Sequence, residues 1–167
     1  MPDYRRNRVP GGTYFFTVCL HDRGADTLVT EVSTLRAAVR GAKARWPFHI
    51  DAFVVLPDHL HCVWTLPPGD HDFSLRWQSI KAGFSRALPV QPGGRSIWQR
   101  RFWEHTIRDE RDYAAHMDYT HFNPVKHGLA AHPADWPHST FHRGVTEGLY
   151  PPGWATSGPD IGPAGET

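Results

Sequence analysis

Hydrophobic and polar residues alternate along this chain in stretches that predict four strands. Aromatic and β-branched residues dominate 13–20, directly after two glycines, which is typical of a strand. Two more strands are predicted over 48–56 and 59–66, with Pro57-Asp58 as the tight turn between them. The alternation over 96–108 predicts a long fourth strand.

Apolar residues at helical spacing predict three helices, over 33–45, 74–88 and 109–122, each with its first residue as the N-cap. In the second helix the apolar stripe leaves Arg76 on the solvent side. After the third helix, Asn123-Pro124 is typical of an N-cap followed by the first residue of a new short helix. The chain is then predicted to be irregular.

The resulting order is β-α-β-β-α-β followed by an additional helix. This order predicts an α+β fold, a ferredoxin-like antiparallel sheet of four strands with helices on one face. The 167 residues suffice for one ordinary domain. We place that domain over 1–149 and treat the Pro/Gly-rich stretch 150–167 as a tail without a core of its own.

Composition excludes several classes of protein. No stretch approaches the roughly 18 uninterrupted apolar residues of a membrane span, and the N-terminus lacks the apolar region of a secretory signal. Two cysteines are too few for a disulfide scaffold. We therefore expect a cytoplasmic protein that is not associated with a membrane. The net charge of +1 hides an asymmetry, because residues 1–130 carry 17 basic and 13 acidic side chains and residues 131–167 carry 1 and 4.

One pair of histidines interrupts an otherwise apolar predicted strand. His59 and His61 are two residues apart, so on a strand they point to the same face about 6.6 Å apart. Two imidazoles so placed can converge on one metal ion or one phosphate. A chain with 12 histidines contains about one such pair by chance. The apolar neighbours favour a site, because buried imidazoles need partners.

A second candidate lies at the end of the third predicted helix. Residues four apart share a helical face, so Tyr119 and Asn123 are neighbours if the helix continues. Pro124 disfavours helical angles at the residue before it, which weakens this expectation. Taken alone, Tyr119 is more often a half-buried core tyrosine than a nucleophile. Lys126 and His127 resemble an ordinary basic helix end.

Arginines beside aromatic residues form a third candidate set. They are Arg5, Arg6 and Arg8 beside Tyr4, and Arg100 and Arg101 beside Trp98 and Trp103. Guanidinium groups near aromatic rings suit phosphate contacts and base stacking. A solvated charged surface explains the same residues about equally well.

Several stretches of the chain together resemble one family. They are YRRNRVPGGTYFFTV (4–18), LPDHLHCVWTLP (56–67), IWQRRFWEHTIRDERDY (97–113) and MDYTHFNPVKHGL (117–129). In this order they closely resemble the REP-associated tyrosine transposases. These are single-tyrosine relatives of the insertion-sequence transposases within the HUH endonucleases. The likeness extends from about residue 4 to about residue 154.

The resemblance implies a site and a substrate. The His-hydrophobic-His pair of the family falls on His59 and His61, which would bind a divalent ion, and Asn123 would complete that metal site. The nucleophilic tyrosine falls on Tyr119, on a helix that follows the sheet. Such proteins act on single-stranded DNA folded into hairpins, the repetitive extragenic palindromes (REPs) of bacterial genomes. Cleavage leaves a 5′-phosphotyrosine and a free 3′-hydroxyl.

The resemblance therefore implies a metal-dependent single-stranded DNA endonuclease and strand transferase. A site of mixed nitrogen and oxygen ligands suits Mg²⁺ or Mn²⁺, and two imidazoles favour Mn²⁺. His116, His121 and Lys126 are close in sequence to Tyr119, and none stands out as a general base. The three N-terminal arginines would read a sequence beside the hairpin, and the other two would hold the DNA backbone.

Three other functions are considered for the same sequence. The chain could be a domesticated protein that binds hairpin DNA and no longer cleaves it. A related replication initiator or relaxase fits a short chain less well, and a metal protein unrelated to nucleic acids would make the motif order accidental. We expect a monomer associated with the bacterial nucleoid. Whether the tail covers the site is open, and its negative charge would let it compete with DNA for the basic surface.

Overall fold

The computed structural model describes residues 6–154 and 158–166. Within these residues the chain forms one four-stranded antiparallel sheet and five α-helices, which confirms the predicted α+β class. In chain order the elements are β1 (Thr13–Cys19), α1 (Thr27–Thr30), α2 (Val32–Arg45), β2 (His49–Val55), β3 (His59–Thr65), α3 (Phe73–Arg86), β4 (Trp103–Thr106), α4 (Glu110–Lys126) and α5 (Phe141–Thr146).

The strands lie side by side in the order β2-β3-β1-β4. The central pair β1 and β3 runs antiparallel, with Thr17 opposite His61 and Cys19 opposite His59. β1 and β3 have neighbours on both sides, and six of the seven residues in each strand are buried. The histidine pair thus lies in a central strand and not at a sheet edge.

The two faces of the sheet are covered by different helices. Helices α2 and α3 cover the face we call the helix-pair face, where the side chains of Phe16, Leu60 and Trp64 are fully buried. Helix α4 covers the opposite face, which we call the α4 face, with Phe15 and Val63 in its apolar part. Successive strand residues point to opposite faces, so the histidine pair lies on the α4 face.

The predicted long strand over 96–108 is wrong, because β4 contains only four residues. The chain first pairs with β1 where the amide of Gln99 donates to the carbonyl of Cys19, and it pairs again where Trp103 faces Thr17. From Gln99 to Trp103 the chain advances by four residues, whereas the facing part of β1, from Cys19 to Thr17, spans only two. The two extra residues are Arg100 and Arg101, and both are exposed.

The first two predicted helices correspond to α2 and α3, and both begin slightly earlier in the structure than predicted. Helix α2 starts at Val32, before the predicted cap Ser33. Helix α3 is capped by Asp72, whose carboxylate accepts from the amide of Leu75 at 3.0 Å, and Ser74 lies inside the helix. An ionised carboxylate is a stronger acceptor at a helix N-terminus than a hydroxyl, which favours the aspartate as the cap.

The expectation that Arg76 faces solvent is also wrong. Its side chain is 1% exposed, and it binds the Asp70 carboxylate at 2.7 Å. It also donates to the backbone carbonyls of Trp46 and Pro47. These partners satisfy the buried guanidinium, so an arginine occupies a position inside the helix packing and links α3 to the end of α2.

Helix α4 is continuous past Pro124, so the expected new helix after Asn123 is wrong. Asp109 caps α4 as predicted, because its carboxylate accepts from the amide of Asp112 at 2.8 Å. Pro124 lies in the last turn, where a missing N–H removes only one bond near the helix end. Tyr119 and Asn123 therefore stand one turn apart on a single helix.

The last described residues return to the α4 face. Ile161 and Ala164 pack against the apolar part of that face. Gly165 has a φ of 70°, and a Cβ at this position would collide with the side chain of Trp103. This close approach requires a glycine. The division into a domain over 1–149 and a tail stays a prediction. In the described ranges, no helix combines the length and apolar character needed to cross a bilayer.

Candidate active site

The histidine pair and the tyrosine predicted from sequence lie next to each other on the α4 face. The rings of His59 and His61 are 5.0 Å apart between centroids, and His61 is 5.4 Å from the ring of Tyr119. Asn123 follows one turn after Tyr119, and its side chain is fully buried. The sheet and α4 thus bring together four residues from two distant parts of the sequence.

His59 is oriented by a carboxylate from the turn before it. Its Nδ1 lies 2.7 Å from Oδ1 of Asp58, whose other oxygen accepts from Nε of Arg23 at 2.8 Å. Burial lowers the pKa of His59, although Asp58 counteracts this shift. The neutral ring therefore donates its Nδ1 proton to Asp58, and the lone pair of Nε2 stays available.

His61 is oriented in a similar way by a hydroxyl. Oγ1 of Thr17 lies 2.8 Å from Nδ1 of His61 and 2.5 Å from the carbonyl oxygen of Ala164. The carbonyl can only accept, so the single proton of Thr17 goes there and Nδ1 of His61 carries its own proton. Burial lowers the pKa of His61 to about 4, which keeps the ring neutral. Its Nε2 therefore also carries a free lone pair.

Three buried acceptor atoms at this place make no hydrogen bond within the described residues: Nε2 of His59, Oδ1 of Asn123, and Nε2 of His61, whose lone pair faces Oε1 of Glu166 at 3.0 Å without a proton between them. Unpaired buried polar atoms are uncommon and costly. Imidazole nitrogens with fixed tautomers and an amide oxygen are suitable ligands for a divalent cation. The donor set therefore fits a metal ion.

A carboxylate from the C-terminal segment occupies the middle of this site. Glu166 accepts a hydrogen bond from the hydroxyl of Tyr119, and its Oε1 lies 3.0 Å from Nε2 of His61. Its backbone is held by Arg23, which donates to the carbonyl of Glu166 at 2.6 Å. Burial would raise the pKa of Glu166, but its contacts with His127, Lys126 and Tyr119 outweigh this effect, lower the pKa and hold the carboxylate ionised.

Lys126 is the side chain of α4 that contacts the tyrosine hydroxyl. Its Nζ lies 2.8 Å from Oη of Tyr119 and 2.8 Å from Oε2 of Glu166. Burial and the adjacent carboxylate, opposed in part by this ammonium, raise the pKa of Tyr119 to about 12. In this arrangement the phenol is protonated at neutral pH. The hydrogen bonds of His116 and His121 within the described part of the chain go to Asp112, Tyr150 and Thr140 and not to the phenol.

The predicted DNA-binding arginines are distributed over two places. Arg101 lines a groove of about 260 Å³ together with Thr17 and Gly165, so this groove opens beside the histidine pair. Arg100 lines a separate groove of about 360 Å³. Arg6 stacks on Phe102, with its Cζ 3.9 Å from the ring centroid. Arg8 lies 5.9 Å from the ring of Phe73, at the start of α3. Arg5 lies outside the described residues.

A second cluster of candidate ligands lies at the other end of α4. His105 and His116 stack at 4.4 Å. His105 hydrogen-bonds to the Asp112 carboxylate, whereas His116 hydrogen-bonds to the backbone carbonyl of Asp112. The amide of Arg108 also donates to the carboxylate, and the bonds from His105 and Arg108 lower the pKa of Asp112 to about 2 against the effect of burial. Both histidines are thus hydrogen-bond partners of Asp112. Since His105 belongs to β4 and the other two residues belong to α4, the cluster connects β4 to the start of α4.

Sequence reasoning missed three residues of the site and left the role of a fourth, Lys126, open. Asp58 directly precedes His59, but it was interpreted only as part of a turn. Lys126 follows Tyr119 by seven residues, which is two turns on one helical face, and the interpretation of Pro124 as a helix start concealed that signal. For Thr17 and Glu166 we find no local signal, because their contacts depend on the folding of distant segments.

Comparisons with known proteins identify the family. The chain is 53% identical over 155 residues to the REP-associated tyrosine transposase of Escherichia coli, which covers 93% of this chain and 92% of that protein. A relative from Haemophilus influenzae is 40% identical over 171 residues, with 96% and 97% covered. No protein-family model matches. The chain belongs to the REP-associated tyrosine transposases.

Solved structures agree with this assignment. A structure described as the REP-associated tyrosine transposase bound to a REP hairpin superimposes with a TM-score of 0.92 at 51% identity, over 100% of this chain and 98% of that one. A protein from Deinococcus radiodurans superimposes with a TM-score of 0.50 at 18% identity, covering 76% of this chain and 97% of that one, and shows the likeness of the fold alone.

Proposed function

We propose that this protein is a metal-dependent single-stranded DNA endonuclease and strand transferase. Its substrate is hairpin DNA of the repetitive extragenic palindromes, and its intermediate is a 5′-phosphotyrosine on Tyr119. The observation that carries this proposal is the convergence of unpaired nitrogen and oxygen acceptors beside the hydroxyl of a buried tyrosine. The relative whose structure contains a REP hairpin supports the choice of substrate.

His59, His61 and Asn123 would hold Mg²⁺ or Mn²⁺. When bound, such an ion supplies Lewis-acid polarisation of a phosphoryl oxygen. The protein prepares the ligands in advance, because Asp58 and Thr17 fix the two imidazole tautomers. Burial keeps both rings neutral, so their lone pairs are available without loss of a proton.

Tyr119 is the nucleophile of the proposed reaction. A bond forms between its Oη and phosphorus, and the bond from phosphorus to the 3′-oxygen breaks. The phenol releases its proton to solvent and the departing 3′-oxygen takes one up. The covalent ester conserves the energy of the broken bond, so rejoining needs no other energy source. The carboxylate of Glu166 must leave first, because it holds the phenol proton and fills the space beside His61.

DNA recognition is assigned to the five arginines predicted from sequence. Arg101 is best placed for the cleaved strand, because its groove adjoins the histidine pair. Arg5, Arg6 and Arg8 would contact the sequence beside the hairpin, and Arg100 would contact the backbone. We further propose that the protein acts as a monomer in the bacterial cytoplasm, associated with the nucleoid and not with a membrane.

A second candidate function is hairpin binding without cleavage. It is favoured by Glu166, which fills the site and contributes to a pKa of about 12 at Tyr119. A protein whose carboxylate never leaves would still present the same arginines to DNA.

One experiment separates the two functions. Single-stranded hairpin oligonucleotides from palindromes near the gene are incubated with Mn²⁺ or Mg²⁺ and wild type, Tyr119→Phe or Tyr113→Phe. Denaturing gels then reveal any covalent protein–DNA band. We expect a metal-dependent band for wild type and Tyr113→Phe and none for Tyr119→Phe. Hairpin binding by all three proteins without any band would favour the binding function.

A further inference from the structure

The two oxygens of the Glu166 carboxylate have different surroundings. Oε1 faces Tyr119, Asn123 and His61, which are the proposed nucleophile and two proposed metal ligands. Oε2 lies beside the end of α4, next to His127, whose ring is 5.0 Å from that of His59. This oxygen lies 2.8 Å from Nζ of Lys126 and 3.5 Å from Nε2 of His127. The carboxylate therefore marks two adjacent positions for anionic oxygens, one beside Tyr119 and His61 and one beside Lys126 and His127.

The second position lies at an unfavourable place for an anion. Lys126 is the last residue of α4 and His127 is its C-cap. The C-terminal end of a helix carries partial negative charge and repels anions. An anionic oxygen is therefore held here only by the side chains. The ammonium of Lys126 supplies that charge, and its Nζ also contacts the phenol oxygen of Tyr119 at 2.8 Å.

We propose that Lys126 and His127 form a binding subsite for one non-bridging oxygen of the phosphate that Tyr119 attacks, and that Glu166 fills this subsite in the present structure. A carboxylate and a phosphate both present paired anionic oxygens, and lysine is a common point-charge partner of phosphate. The inference rests on the proposed function, because it identifies the reacting phosphate as the occupant.

In the reaction, Lys126 would be a catalytic residue that stays protonated throughout. Its ammonium contacts both the phenol oxygen and the phosphate oxygen, so it stabilises negative charge as the new bond forms. The same contact stabilises the phenol oxygen when the ester is reversed. Such preorganised donors commonly contribute about 10²–10³ to a rate.

The first test uses the full chain with Glu166→Ala, which empties the subsite, and inorganic phosphate as the probe in titration calorimetry. We expect phosphate to bind Glu166→Ala at least tenfold more tightly than wild type, where the carboxylate competes. Adding Lys126→Met should weaken binding at least tenfold. Adding Lys43→Met, an exposed lysine on α2, should change nothing. Equal affinity with and without Lys126→Met would overturn the proposal.

The second test measures single-turnover formation of the covalent hairpin adduct in the Glu166→Ala background. At saturating hairpin we expect Lys126→Met to slow this step about 100-fold, with partial recovery in Lys126→Arg. An unchanged rate would show that Lys126 only holds the C-terminal segment. If no variant forms an adduct although phosphate binds as expected, the proposed nuclease function fails and the anion subsite stands.

Discussion

Both faces of the sheet bury side chains, but the buried residues differ in their chemistry. On the helix-pair face, Trp64 stacks on Trp77 at 4.3 Å among apolar neighbours. On the α4 face, buried polar residues surround a small apolar patch. Unpaired polar atoms occur on both faces of the described structure. On the helix-pair face they include the indole donors of Trp64 and Trp77, whereas on the α4 face three acceptors surround one point. Nη1 of Arg6 and Nδ1 of His138 are also unpaired within the described residues.

The two faces therefore have different roles: the helix-pair face stabilises the fold, and the α4 face contains the candidate active site. Burial of large apolar side chains stabilises the fold, and the helix-pair face supplies most of it. The α4 face includes buried imidazoles and an amide, which cost free energy unless they find partners. A sheet with one strongly packed face can carry such a site on the other. We therefore expect substitutions on the helix-pair face to change mainly the free energy of unfolding, and substitutions at the α4-face site to change mainly metal affinity.

The largest effect on stability is expected from Trp77→Ala on the helix-pair face. The indole is fully buried between α3 and the sheet, so its removal leaves a large cavity. We expect a loss of about 3–5 kcal/mol in the free energy of unfolding, measured by urea denaturation. Leu149→Ala, at an exposed leucine, is the control and should change it little. A loss below 1 kcal/mol at Trp77 would contradict the assignment of stability to this face.

A smaller effect, on metal affinity, is expected from Asp58→Asn on the α4 face. An amide at position 58 loses the charge that fixes the Nδ1 proton of His59. Replacing such a partner commonly lowers metal affinity about 10–100-fold. Mn²⁺ titrations followed by electron paramagnetic resonance measure this, with Asp135→Asn in an exposed turn as the control. Unchanged Mn²⁺ affinity would remove Asp58 from the site.

The pH dependence of stability provides a third prediction. Burial lowers the pKa of His121 from 6.5 to about 4. Between these values the unfolded chain binds a proton that the folded protein does not, so stability falls as the pH drops. The contribution at pH 5 is about 2 kcal/mol. His121→Gln should reduce the difference in unfolding free energy between pH 7 and pH 5 by that amount, whereas His132→Gln, at an exposed histidine, should not. An undiminished difference in His121→Gln would contradict it.

Helix α4 illustrates what the sequence could and could not predict. Its start was predictable because the Asp109 cap is a local signal. Its end was not, because tolerance of Pro124 depends on how little of the helix follows it. The same limit concealed Lys126, which is visible as a neighbour of Tyr119 only when the helix is known to continue.

Contacts that join distant segments mark the other limit. The histidine pair was predictable, because its spacing and its apolar neighbours lie within one strand. Arg76 was assigned to solvent because its partner Asp70 and the carbonyls that surround it come from the loop before α3 and the end of α2. Glu166 is 47 residues from Tyr119, and no periodicity connects them.

The smallest effect is expected from Arg101→Gln in the groove beside the histidine pair. If Arg101 contacts one phosphate of the single strand, its removal should reduce the slope of log affinity against log salt by about 0.7. Fluorescence anisotropy with a labelled hairpin measures this. Arg45→Gln, an exposed arginine on α2, is the matched control. The same slope in Arg101→Gln and wild type would remove Arg101 from the DNA surface.

The proposed reaction on the α4 face requires that DNA becomes covalently attached to one tyrosine, Tyr119. The most direct test is mass spectrometry of the peptide that remains attached to DNA after the Glu166→Ala protein reacts with a hairpin and Mn²⁺. We expect a nucleotide on the peptide containing Tyr119, at that side chain. Attachment at Tyr113 or at any residue outside α4 would contradict it.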